Sequence, residues 1–287
     1  MFRKSPFRAL AVGITLMWIT VFVVVPYIFV LLISFLTRDP DGIILWIFSI
    51  EGYREIMSPV FIKVCRNSFV LALGTTVITL FAAYPFAFVL TRINKRLRRI
   101  LILLMIIPFW TSSLIRTYAL IILFKANGII NTLLLHLGLI DEPLNILYTP
   151  AAVFIGLVYT LLPFMILPLY SSIQKLDKSM IEAARDLGAT SSHVFFRIIL
   201  PLTMPGIIAG STMVFLPALG LFYIPDLLGG ARSMLIGNFI KNQFLTTGNW
   251  PAGSAASVFL TLLMCLFIWG YFLSSQKTHA AGMENVR

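Results

Sequence analysis

The sequence is poor in charge. Only 11% of its 287 residues are Asp, Glu, Lys or Arg, against about 25% in an ordinary soluble domain. Too few polar groups remain to cover a water-soluble fold, and 59% hydrophobic residues are incompatible with a disordered chain. Cysteine is scarce as well. Cys65 and Cys265 show no partner spacing, which excludes a disulfide scaffold and leaves the redox compartment unspecified. The three histidines, His136, His193 and His279, are scattered. No His-Glu metal motif and no Walker-type glycine–lysine loop is present. An intramembrane enzyme is therefore not supported, and no catalytic residue, metal or cofactor is expected. An ATP-hydrolysing site of its own is therefore not expected.

Long apolar runs are abundant. Residues 9–37, 67–91, 145–174, 198–225 and 242–276 contain no charged side chain, and 100–124 contains only Arg116. Each can hold a helix of about 20 residues, the length that crosses a bilayer. Continuous rather than alternating runs exclude a barrel. The chain reads as an all-α polytopic membrane protein with six transmembrane helices, near 10–35, 68–90, 100–123, 150–170, 202–224 and 254–275. Residues 126–140 read as an interfacial or extramembrane helix, and 43–50, with Trp46, as a surface segment. The first span is too long for a signal peptide h-region and lacks a small-residue cleavage site, so it is expected to stay in the mature chain.

Charge placement sets the orientation. With the N-terminus inside, inner segments carry fourteen Lys and Arg residues and outer loops seven. The positive-inside rule favours that arrangement, with both termini cytoplasmic. It also accounts for the net charge of +11 without nucleic acid.

Residues 171–200, between spans four and five, form the one loop with a defined pattern. Ser179-Met180-Ile181-Glu182 predicts a capping box, and Gly188 a stop at positive φ. Ser191 or Ser192 can cap a second short helix that ends before Pro201. Local physics leaves open whether this pair of helices is a connector or a docking element.

Glu182-Ala183-Ala184, then Gly188, then Ile198-Ile199-Leu200-Pro201 resembles the EAA loop of bacterial ATP-binding cassette (ABC) importer permeases. Pro108–Arg116, the run from Gly156 to Ala189, Pro201–Gly210 and Leu221-Phe222-Tyr223 with Asp226-Leu227 are similar to the first permease of spermidine/putrescine importers. The resemblance extends over most of the chain. It implies a single permease domain, 1–287, of the type I importer (MetI-like) fold in a bacterial inner membrane, with 171–200 as its coupling loop. It also implies three kinds of partner: a second homologous permease subunit, two copies of an ATPase subunit and a periplasmic polyamine-binding protein. Glu182, Ala183, Ala184 and Gly188 would then seat in the ATPase.

Polyamines are flexible cations with methylene spacers, so their path needs carboxylates and aromatic faces. Asp226 is the one acid close to a span. A straight fifth helix from Leu202 would put it ~36 Å along, beyond the ~30 Å hydrocarbon layer. Pro205, Gly210, Pro217 or Gly220 can break that helix and bring it deeper. Phe222 and Tyr223 lie three or four residues before it, and Trp110 would sit ~15 Å into span three. Trp110, Phe222, Tyr223 and Asp226 are therefore the candidate path. Simple packing is the alternative for the aromatics, and an exposed loop carboxylate or a partner of Arg232 for Asp226. Arg116, ~24 Å along span three, would repel a cation and reads as a structural or gating charge able to snorkel outward. Two rivals remain: inside the same superfamily, an ABC permease for sulfate, an iron complex or thiamine, and outside it, an ion-coupled secondary transporter. The second has no reason to keep the Glu182–Gly188 loop.

Overall fold

The computed structural model describes residues 6–39, 44–230 and 234–284. In chain order the elements are α1 (Pro6–Ile19), a π turn and α2 (Val25–Ile33), strands β1 (Leu36–Arg38) and β2 (Ile44–Phe48), α3 (Glu51–Ile56) and α4 (Pro59–Arg92). Then come α5 (Lys95–Ile106), a 3-10 turn (Ile107–Trp110), α6 (Ser113–Phe124), α7 (Ile129–His136) and α8 (Pro150–Gln174). Next are α9 (Lys178–Asp186), α10 (Ser191–Val194), a π turn (Phe195–Ile199), α11 (Leu200–Gly220), α12 (Tyr223–Gly229), α13 (Ile236–Leu245) and α14 (Trp250–Glu284).

Among the described residues, six helical stretches are long and apolar enough to cross a membrane: Leu10–Ile33, Pro59–Arg92, Ser113–His136, Pro150–Gln174, Ser191–Gly220 and Trp250–Tyr271. Five overlay the expected spans. The third does not. The expected helix over 100–123 is broken at 107–112, where Pro108 supplies no N–H and Thr111 and Ser112 take extended backbone. The stretch that by length and composition can serve as the third crossing, Ser113–His136, takes in α6 and α7, which a turn at 125–128 separates. Within the segment read as lying at the surface, β2 pairs antiparallel with β1, and Trp46 is exposed on it.

The chain divides into two compact units. One comprises the chain up to Val64 together with Phe239–Leu263. Its first crossing, Leu10–Ile33, buries none of its residues, so the protein leaves that helix to lipid or to another chain. Elsewhere in this unit Phe61 meets the Phe239 and Phe259 rings edge-on at 5.0 and 5.6 Å. The Asn249 amide donates to Glu55 at 2.9 Å, and the Arg38 guanidinium to the Thr247 carbonyl at 2.8 Å.

The second unit comprises Cys65–Asn238 and the chain from Met264 onward. Its centre is α8 against α11. Leu157, Leu161, Met165 and Leu169 recur every fourth residue of α8 and are fully buried, one face of a 3.6-residue period. Gly206 and Gly210 of α11 face that row. A Cβ at Gly206 would lie 2.6 Å from Ser172 and 2.8 Å from the Pro168 carbonyl, and one at Gly210 would lie 2.7 Å from the Met165 sulfur. This is the small-xxx-small contact by which membrane helices approach without a hydrophobic driving force. Gly206→Val should therefore separate α8 from α11 and destabilise the protein by about 1–3 kcal/mol. The thermal midpoint of the detergent-solubilised chain measures it. Gly13→Ala, where nothing lies within 4 Å, should leave the midpoint unchanged.

Candidate functional site

The 171–200 loop is built differently from its sequence pattern. Asp177 is the last extended residue (φ −73°, ψ 121°), so it is the N-cap, and its carboxylate accepts from the Ser179 amide at 2.9 Å. Ser179 is already inside α9, and the expected Ser179–Glu182 capping box does not form. Glu182 is thereby left exposed on the helix surface, with Ala183 exposed and Ala184 half-buried. Gly188 takes φ +82°, as its position predicts. The Gly188 amide donates to Arg185 at 2.8 Å and the Ala189 amide to Ala184 at 3.0 Å, the paired bonds of a Schellman stop. Thr190, not Ser191 or Ser192, caps α10. The second helix also does not end before Pro201. The π turn at 195–199 widens the helix where the Pro201 ring would strike the preceding carbonyls, and the run continues to Gly220. Leu187, at 88% exposure, stands beside the Ala183–Ala184 pair.

The second candidate locus is the end of α11. That helix passes through Pro205 and Pro217 and stops at Gly220, where Leu221 turns extended. The straight-helix distance to Asp226 therefore does not apply. The chain restarts as α12, whose Ile224 and Leu228 sink into a cluster with Phe124, Ala152, Val153 and Leu157. Burying positions 224 and 228 turns 222 and 226 outward, since residues four apart share a face. Phe222 and Asp226 are accordingly exposed and Tyr223 half-buried, with the Phe222 and Tyr223 rings edge-to-face at 6.1 Å.

Sequence reasoning missed the residue that ties this locus together. Asn238, on the first turn of α13 and 4% exposed, donates from Nδ2 to Asp226 Oδ1 at 2.8 Å and to the Phe222 carbonyl at 3.2 Å. Its neighbour Gly237 makes room: a Cβ there would lie 2.5 Å from the Gly220 carbonyl. The signal was a lone amide inside the apolar stretch Leu235-Ile236-Gly237-Asn238-Phe239-Ile240, which demands a buried partner. Arg232, the alternative partner for Asp226, lies outside the described residues.

Trp110 and Arg116 stand apart from this locus. Trp110 closes the 3-10 turn at 85% exposure, and the depth calculated for it on a straight helix falls with the break at 107–112. Among the described residues no hydrogen bond or ring contact joins it to Phe222, Tyr223 or Asp226. Arg116 lies early in α6 with its guanidinium 4.7 Å from the Phe109 ring centre and 5.9 Å from that of Tyr159. Two aromatic faces meet the charge, while Nε is buried without a hydrogen-bond partner. Among the described residues no group of three or more His, Cys, Asp or Glu side chains could hold a metal ion.

Comparison with known proteins gives a consistent picture. A family described as "Binding-protein-dependent transport system inner membrane component" matches residues 76–279. The chain is 49% identical over 273 residues to the spermidine/putrescine transport system permease protein PotB of Haemophilus influenzae, which covers 95% of this chain and 96% of that one. In fold it is similar to a bacterial ABC transporter involved in the import of the acidic polysaccharide alginate, with TM-score 0.76 and 18% identity over 94% of this chain and 95% of that one. A second similar structure is the bacterial alginate ABC transporter in complex with an alginate pentasaccharide-bound periplasmic protein, with TM-score 0.74 and 17% identity over 95% and 94% of the two chains.

The α9 cap carries a pH signature. The Ser179 amide, then its hydroxyl, hold the Asp177 carboxyl below the usual carboxylate value. A carboxylate whose value is lower folded than unfolded stabilises above the unfolded value and stops doing so as pH falls through the folded one. Asp177→Ala should therefore speed amide exchange over residues 179–186 several-fold at neutral pH. The difference from the parent chain should vanish in acid. Hydrogen–deuterium exchange by mass spectrometry on the detergent-solubilised protein reads both arms.

Proposed function

On the premise that the chain belongs to the binding-protein-dependent transport system inner membrane components, and is thus an ABC importer permease, we propose that its cargo is a polyamine, spermidine or putrescine. The observation that carries the substrate is the likeness, along nearly the whole chain, to a permease named for those two cations. The likeness to alginate transporters supports the fold alone, since those handle an acidic polymer.

The chemistry of the α11–α12 break supports the same reading. A polyamine presents ammonium groups separated by methylenes. Asp226 offers a carboxylate for the first, and Phe222 and Tyr223 offer ring faces for both. Trp110 completes the path from a different element, as an exposed aromatic surface over which a methylene chain can slide. Arg116, engaged by Phe109 and Tyr159, braces the turn that carries Trp110 and keeps its charge off the route.

The energy enters elsewhere. With no phosphate-binding loop of its own, the permease takes its drive from a pair of ATPase subunits seated on the loop 171–200. Exposed Glu182, Ala183 and Leu187 form the contact face, and the small side chains of Ala183 and Ala184 admit a close partner backbone. The stop at Gly188 fixes the angle between α9 and α10. With both termini inside, that loop faces the cytoplasm, and the opposite face receives a periplasmic polyamine-binding protein. A second homologous permease closes the path, because six crossings line only part of one. ATPase closure then moves the loops as rigid bodies and exchanges outward-open for inward-open states.

Two substitutions test the two ends. Asp226→Asn in the full complex should lower ATP-driven uptake of labelled spermidine and putrescine into vesicles about tenfold, from loss of a charge-assisted bond, with assembly and ATPase binding intact. Normal uptake would remove Asp226 from the path. Glu182→Lys should weaken co-purification of the ATPase subunit or leave its hydrolysis insensitive to the loaded binding protein. Full capture together with full transport would overturn the coupling assignment.

A further inference from the structure

We propose that Asn238 is a positioning residue for the cation path, setting the orientation of the Asp226 carboxylate and hence the affinity for an ammonium cargo. The inference rests on the reading of Asp226 as a path residue. Its own ground is the geometry of one side chain. Asn238 uses both hydrogens of its amide nitrogen, one on Asp226 Oδ1 at 2.8 Å and one on the Phe222 carbonyl at 3.2 Å. Because both partners are acceptors, the amide's orientation is fixed: nitrogen toward the carboxylate, oxygen away from it.

The oxygen end is the informative one. Asn238 Oδ1 is buried and has no hydrogen-bond partner. Such an orphan acceptor is costly and rare in native proteins. An amide kept only to hold α13 in place would be satisfied at both ends. Here the acceptor goes unmet while the donor end serves one carboxylate and the backbone carbonyl at the helix break. The Phe222 bond locks the amide to the same turn that carries Asp226, so the two donors act as a fork with a fixed bite. Gly237 permits the approach, and the Ile236 amide, donating to Ser68 Oγ at 2.8 Å, anchors the same turn of α13.

The chemical type matters as much as the position. A lysine or arginine at 238 would orient the carboxylate but cancel its charge. A neutral amide orients Asp226 and itself adds no positive charge, which suits a site whose ligand is a cation. Half-buried Tyr223 and exposed Phe222 flank the carboxylate on the same turn, so a rotated Asp226 would point its charge away from the ring faces that the methylene spacers need.

The test is a double-mutant cycle on the assembled transporter, with both permeases, the ATPase and the loaded binding protein, in proteoliposomes. Initial rates of labelled spermidine and putrescine uptake are measured for Asn238→Ala, the volume-matched Asn238→Leu, Asp226→Asn and the double variants. Asn238→Ala and Asn238→Leu should each raise KM about tenfold, with Vmax within about twofold, the pattern of lost binding rather than lost turnover. In the Asp226→Asn background the same changes should add nothing. Unchanged KM in both Asn238 variants, effects that multiply in the double variants, or failure of both single variants to assemble would each overturn the assignment, the last by making Asn238 purely structural. Wild-type KM for Asp226→Asn alone overturns the path reading itself, a result that does not involve Asn238 and so is distinguishable.

Discussion

Every helix break inside a bilayer leaves backbone carbonyls and amides that water cannot reach. Only protein groups can satisfy them, at a cost of several kcal/mol for each one left over. That constraint organises the two helix breaks of the second unit. The break after Gly220 is tolerated because Asn238 reaches the Phe222 carbonyl and because α12 restarts at once, with the Asp226 amide returning to the same carbonyl at 3.0 Å. The break at 107–112 is handled locally, with the Thr111 amide and hydroxyl both donating to the Pro108 carbonyl. At both breaks the freed backbone groups are met by nearby polar groups of the protein itself. Buried hydroxyls inside intact helices, such as Thr76 and Thr79, instead donate to the carbonyl four residues earlier.

Between the breaks, packing follows from the weakness of the hydrophobic effect among lipid tails. Helix contact rests on close approach rather than on expulsion of water. Gly206 and Gly210 bring α11 down onto the backbone of α8, and the Tyr84 hydroxyl meets Thr203 at 3.0 Å to tie α4 to the same helix. The opposite case is the first crossing. Its side chains are mostly large and apolar, and none of them is buried within the chain.

The sequence makes some of this plain and hides the rest for identifiable reasons. Hydropathy over a window of about 20 residues is a bulk property, so the number of crossings is legible. Gly188 is legible because one backbone conformation there strongly favours one residue type. The capping of α9 is not, since Asp177 and Ser179 both satisfy the local pattern and the choice depends on where the chain leaves α8. The third crossing was misplaced because hydropathy does not register a break that keeps apolar side chains on either side. Pro108 carries the information, yet Pro163, Pro168, Pro205 and Pro217 all sit inside intact helices, so proline alone does not decide. Asn238 escaped for a different reason. Its meaning lies in a partner twelve residues away, and no local pattern records that pairing.

The last link is between the two loci, which share one element. From Ser191 to Gly220 the chain is a single helical run of 30 residues, about 45 Å at 1.5 Å per residue. Its first turn follows the Gly188 stop of the 171–200 loop, and its last residue is the start of the break that leads to Asp226. Backbone hydrogen bonds along a helix resist stretching far more than side-chain contacts resist sliding, while the π turn at 195–199 and Pro205 and Pro217 are the places where this run can bend. The close contact at Gly206 and Gly210, partway along, fixes where this run bears on α8. On the proposed function, this shared run is the physical link by which the loop 171–200 would act on a carboxylate that it does not touch.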